Sequence, residues 1–119
     1  MADIKEVAEN IYQIDNGVYG VKGWGAVYLI NEEGKALIDS GPTSSAPVVL
    51  EGMAQVGVKP EEAVFVGDRL REDVAGPQGV GLRAVLVEVP FREERDESVS
   101  PDARIASITE LPAVLAAWL

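Results

Sequence analysis

The chain has 119 residues, a formal net charge of −10, and neither cysteine nor histidine. One domain of this length buries roughly two thirds of its unfolded surface, and the acidic balance argues against nucleic acid or an anionic membrane as partner. The missing Cys and His remove disulfides, thiolate metal sites, the commonest zinc ligand and the usual neutral-pH base, so any chemistry must run on carboxylates, hydroxyls, Lys, Arg or a hard oxygen-bound cation.

No apolar run is long enough to span a bilayer, and Met1-Ala-Asp-Ile-Lys-Glu6 lacks the basic start and apolar core of a signal peptide. The expected compartment is the cytosol. Residues 4–14 and 18–22 read as strands around an Asn16-Gly17 hairpin turn. Gly23 and Gly25 mark a bend about Trp24. A second hairpin pairs Ala26–Ile30 with Lys35–Asp39, and Gly34 is expected to take the left-handed position of its loop.

After Ser40 the texture changes. Thr43, Ser44 and Ser45 offer capping oxygens for a helix over 46–56 that Gly57 would stop. The same hydroxyls and the free amides of that helix start are a candidate anion site, with plain capping as the simpler role. Ala63–Gly67 and Arg83–Val89 are near-continuous apolar runs, as in parallel strands covered on both faces. Leu70–Val80 reads as a short helix weakened by Gly76 and Pro77, Glu88–Pro101 as an exposed loop, and Ser107 or Thr109 as the cap of a final helix carrying Leu111, Val114, Leu115, Trp118 and Leu119.

The predicted fold is α/β: an antiparallel β-meander running into a β-α-β-α-β parallel segment, in a single mixed sheet with helices. If both parallel crossovers step the same way, their helices cover one face only. Either the C-terminal helix returns to cover the other face, or a second copy of the chain does, which makes a homodimer through an apolar sheet face an expected partner.

Gly57-Val-Lys-Pro-Glu-Glu-Ala-Val-Phe-Val-Gly-Asp68, then Asp73 and Gly79-Val-Gly-Leu-Arg-Ala-Val-Leu-Val87, resemble the C-terminal part of haloacid-dehalogenase (HAD) superfamily hydrolases. The tail Pro101–Leu111 fits the same pattern. The resemblance implies that Asp68 helps hold a catalytic Mg²⁺ and that Asp73 supports the site. Carboxylate oxygens beside an open, wet cleft suit that ion.

The meander leading into Ala36-Leu-Ile-Asp-Ser-Gly41, with the following helix, resembles the opening of the metallo-β-lactamase fold. That family continues into a histidine-rich zinc motif, HxHxDH, which a histidine-free chain cannot form. The two resemblances overlap at residues 57–62. Lys5, Lys22, Lys35 and Lys59 all precede that point or fall within it, and Arg69, Arg71, Arg83, Arg92, Arg95 and Arg104 all follow it. The leading sequence reading is therefore a single domain that is a laboratory-made or selected chimera, about 1–59 metallo-β-lactamase-like and about 60–119 HAD-like, without evolved catalytic function.

A residual Mg²⁺-dependent phosphohydrolase or phosphate binder is the alternative, and an oligomerisation module the third. In the enzyme reading Asp39, at the end of the strand expected beside Ala63–Gly67, stands in for the HAD nucleophile, and Asp39, Asp68 and Asp73 are the metal candidates. Gly41 occupies the position of the family's general acid, and no lysine follows Lys59. No other cofactor is expected. The plainer roles are loop bonding for Asp39, helix capping for Asp68 and solvation for Asp73.

Overall fold

The computed structural model describes residues 4–15, 26–39, 46–89 and 96–118. Seven strands form one sheet whose spatial order follows the sequence: β1 (Ile4–Ala8), β2 (Ile11–Asp15), β3 (Ala26–Ile30), β4 (Lys35–Asp39), β5 (Ala63–Gly67), β6 (Arg83–Val87) and β7 (Ala103–Ile105). β1 to β4 pair antiparallel. β4 to β7 pair parallel. The α/β class and the meander-to-parallel order are as the sequence implies.

Three local expectations change. Residues 4–14 are not one strand, because the chain reverses at Glu9-Asn10, where Asn10 takes φ 59°. Asparagine tolerates that conformation. Its N–H donates to Glu6 Oε2 at 3.1 Å, and its carbonyl accepts the Asn31 N–H at 2.8 Å. The Asn16-Gly17 turn and the Trp24 bend lie outside the described residues.

Gly34 is not left-handed: among the described glycines only Gly57 and Gly81 have positive φ. Its smallness serves packing instead, since a Cβ there would lie 3.1 Å from Leu115 Cβ. The third change is β7, a strand within the segment that follows the predicted loop, too short to show a period of its own.

Helix α1 (Ala46–Gln55) turns Val49 and Met53 into the sheet, against Ile14, Val27, Leu29, Leu37 and Phe65. Gly57, at φ 76°, follows it, as a C-terminal stop requires. The segment predicted as one helix over 70–80 is a π-helical turn, Arg71–Ala75, running into α2 (Gly76–Gly79). Gly76 N–H reaches back to Arg71 O. Pro77 has no N–H to give Asp73 O, so the α-helical ladder is interrupted there. Leu70 and Val74 pack on Ala84 and Leu86. Phe65 is level with Ala84 across the sheet, so this segment lies on the same face as α1.

The opposite face of β4 to β7, lined by Ala36, Val64, Val66, Val85 and Ile105, is covered by Leu111, Val114, Leu115 and Trp118 of α3 (Leu111–Ala117) and the residue after it. The returning C-terminal helix therefore packs on this face of β5 and β6. Ser107 rather than Thr109 caps this end: its Oγ accepts from Thr109 N–H, while Glu110 Oε2 accepts the Ala106 and Ser107 N–H groups. Trp118 also lies under Arg83, whose guanidinium carbon is 4.9 Å from the ring centroid. Among the described residues no helix is long and apolar enough to cross a membrane.

Candidate functional site at the carboxyl edge of β4 to β7

β5 ends at Gly67, and the identity of that residue is dictated by what lies over it. A Cβ on Gly67 would stand 2.4 Å from both Cγ and Oδ2 of Asp73. Asp73 is the one charged residue in the described core, 4% exposed. A buried carboxylate needs hydrogen-bond donors. Asp73 Oδ2 accepts the backbone N–H of Asp68 at 3.1 Å and of Arg69 at 3.0 Å. The Asp73 N–H in turn donates to Arg69 O at 2.9 Å. Gly67, Asp68 and Asp73 are thus one device: the glycine makes room, the buried carboxylate clamps the loop, and Asp68 is held at the strand end. Asp73 is neither solvated nor turned to an open cleft.

Asp68 is half-buried and lines a recess of about 90 Å³ together with Glu88, Arg104, Leu70, Leu86, Val87 and Val89. Arg104 Nη1 lies 4.0 Å from Glu88 Oε2, and both side chains are more than half exposed. The three-residue β7 is secured beside β6 by side-chain bonds at its start. Asp102 Oδ2 accepts Ala84 N–H at 2.7 Å and Gln78 Nε2–H at 3.1 Å, and Asp102 N–H returns to Ala84 O at 2.9 Å. Past its end, Glu88 N–H donates to Ile105 O at 2.8 Å. Glu88 and Arg104 were missed from the sequence because one sits in an assumed loop and the other in a strand of only three residues.

Asp39 closes β4. The register pairs Ile38 with Val66, so the Asp39 backbone stands level with Gly67, one residue short of Asp68. Its side chain lies outside the described residues, as do Thr43, Ser44 and Ser45. Among the described residues no group of three or more acidic side chains is arranged to hold a metal. The donor chemistry nonetheless suits Mg²⁺, which commonly takes one or two carboxylates and completes its shell with water and phosphate oxygens.

At the rim of the following turn, Arg71 Nε pairs with Asp96 Oδ2 at 3.2 Å. The Asp96 carboxyl is held below its ordinary value of 3.8, first by the Ser98 hydroxyl, then by the Ser98 amide, with Arg71 adding to them and burial opposing.

The HAD-hydrolase-like family matches residues 44–111, more than half of the chain, and the chain belongs to that family. A human haloacid dehalogenase-like hydrolase domain-containing protein 2 is 42% identical over 53 residues, covering 44% of this chain and 20% of that protein. Phosphoserine phosphatase of Thermus thermophilus is 46% identical over 55 residues, covering 46% and 22% respectively. The crystal structure of 2-haloacid dehalogenase from Pseudomonas syringae superposes with a TM-score of 0.54 at 34% identity, over 61% of this chain and 31% of that one. The chain spans about a fifth of the length of these two curated relatives. The family match begins ahead of α1, upstream of the join near residue 60 that the sequence suggested. None of these matches supports a metallo-β-lactamase-like N-terminal half or a chimeric origin.

Proposed function

We propose that the chain is the carboxylate-bearing part of a HAD-type phosphohydrolase core, in which Asp68 and Asp39 hold Mg²⁺ beside a phosphate group. The observation carrying this reading is the parallel pairing of β4 with β5, which brings the backbones of Asp39 and Asp68 to neighbouring carboxyl ends. Open α/β sheets take their ligands along that edge. When bound, Mg²⁺ would supply positive charge to phosphate oxygens. The chain's own residues do the rest: Asp73 fixes the Asp68 loop through two amides, Gly67 leaves space for that carboxylate, and Asp39 is the nucleophile candidate.

Gly41 stands where the family's general acid is expected, and leaving-group protonation contributes on the order of 10²–10⁴-fold in rate. Slow turnover of an activated ester such as p-nitrophenyl phosphate is therefore the expected activity. It should require Mg²⁺ and disappear in Asp68→Asn. Turnover no faster than buffer with Mg²⁺, or an Asp68→Asn variant as active as the parent, removes the reading.

A separate origin for the N-terminal meander is a second reading, favoured by the division of lysines from arginines near residue 60. It concerns ancestry and leaves the chemistry of the β4–β5 edge unchanged.

A further inference from the structure

Among the described residues that line the recess beside Asp68, Arg104 is the cationic one. We propose that Arg104 is the anion-holding group of this recess and receives the tetrahedral phosphate head of a ligand. The phosphate class rests on the functional reading above, whereas the assignment of Arg104 rests on its own geometry.

Three observations carry it. The first is position. Gly67 is level with Leu86, and Leu86 with Arg104, so Arg104 stands two strands across from the end of β5, at about 10 Å by ordinary strand spacing. The recess fills the space between, and a ligand atom in it lies within reach of both Asp68 and the guanidinium. A planar guanidinium matches phosphate oxygens with two parallel hydrogen bonds.

Availability is the second. The only ion pair described for Arg104 is the 4.0 Å contact to Glu88, between side chains 52% and 56% exposed. Such a pair contributes little and is readily exchanged for a better acceptor. The third is size. The recess, at about 90 Å³, is well above the room one water needs, roughly 10–15 Å³, yet far below the roughly 300–1,000 Å³ of a site that encloses a whole organic ligand. It fits a head group and leaves the body of the ligand outside. The absence of any lysine after Lys59 leaves the charge at this edge of the sheet to arginine.

The adjacent carboxylates of Asp68 and Glu88 oppose an anion, which gives the proposal a signed test. Inorganic phosphate is titrated into the ¹⁵N-labelled full chain, with and without saturating Mg²⁺, and amide shifts are followed. Saturable shifts centred on Leu86–Val89 and Arg104 are expected. Arg104→Gln should weaken binding about tenfold or more, as for a lost hydrogen bond to a charged group. Arg104→Lys should restore part of it, and Glu88→Gln should tighten it roughly twofold to fivefold.

No phosphate binding by the parent chain, shifts centred elsewhere, or an unchanged dissociation constant in Arg104→Gln each overturn the proposal. If Arg104→Gln does not fold, a Glu88→Gln variant with unaltered affinity overturns it alone. The functional reading fails separately: Mg²⁺ titration of the same sample would then give no shift at Asp68, or one that survives in Asp68→Asn.

Discussion

In β1 the residues from Lys5 to Ala8 are all exposed, whereas every residue of β5 is buried. β2 and β3 lie between these extremes, with Ile14, Val27 and Leu29 fully buried under α1 and Tyr28 and Ile30 only partly covered. The difference follows from the connections. A hairpin leaves one face of its strands wet, while a parallel crossover brings a helix to the sheet and α3 closes the other side. Stability is therefore concentrated around β5, whose carboxyl end carries the candidate site. The meander extends the sheet by pairing and contributes one apolar face.

The sharpest way to break this contrast is to truncate one side chain in each half. Phe65→Ala is expected to cost about 3–5 kcal/mol, and Val7→Ala, at a position 48% exposed, less than about 0.5 kcal/mol. Equal losses in chemical denaturation would show that the burial difference has no energetic meaning. Gly67→Ala comes next, at about 1–3 kcal/mol, because the new methyl must displace the Asp73 carboxylate from the amides it clamps. A variant as stable as the parent, with unmoved Asp68 and Arg69 amide signals, would mean that the clamp is not formed.

The smallest expected effect is electrostatic. The Asp96 carboxyl titrates lower in the folded chain than its ordinary 3.8, so its contribution is complete above that value and is lost as pH falls through the lower folded one. Ser98→Ala removes the largest cause, so it should lower stability slightly at neutral pH, leave it unchanged in acid below the folded value, and thereby shallow the acid-side slope. An unaltered slope between pH 2 and 4 would refute this.

Much of the parallel half was legible in the sequence, because strands buried on both faces have little choice of residue. Ala63–Gly67 and Arg83–Val89 read as near-continuous apolar runs, the second ending two residues beyond the strand, and Gly57 marked the end of α1. The Glu9-Asn10 reversal was not legible, since an asparagine at positive φ leaves no pattern until its partners Glu6 and Asn31 are in place. Gly34 looked like a turn residue and proved to be a packing residue, a role fixed by Leu115 far along the chain. At the site, the spacing Gly67-Asp68…Asp73 announced a strand-end carboxylate. That Asp73 would be buried and accept two loop amides shows only once the chain from Asp68 to Asp73 has folded back over Gly67. Arg104 was invisible because its place beside Asp68 comes from the pairing of β5, β6 and β7.

The strand order has a consequence for how the molecule assembles. Each strand docks on the one made just before it, so strand pairing needs no distant partner to wait for, and the sheet can grow in the order of synthesis with short loop closures. α3 is the exception, because Leu115 must return to Gly34 at the β3–β4 turn. Until it does, one side of β4, β5 and β6 is bare, a transient state of the kind that invites aggregation. The closing helix thereby sets the point at which the nascent chain becomes safe from its own kind.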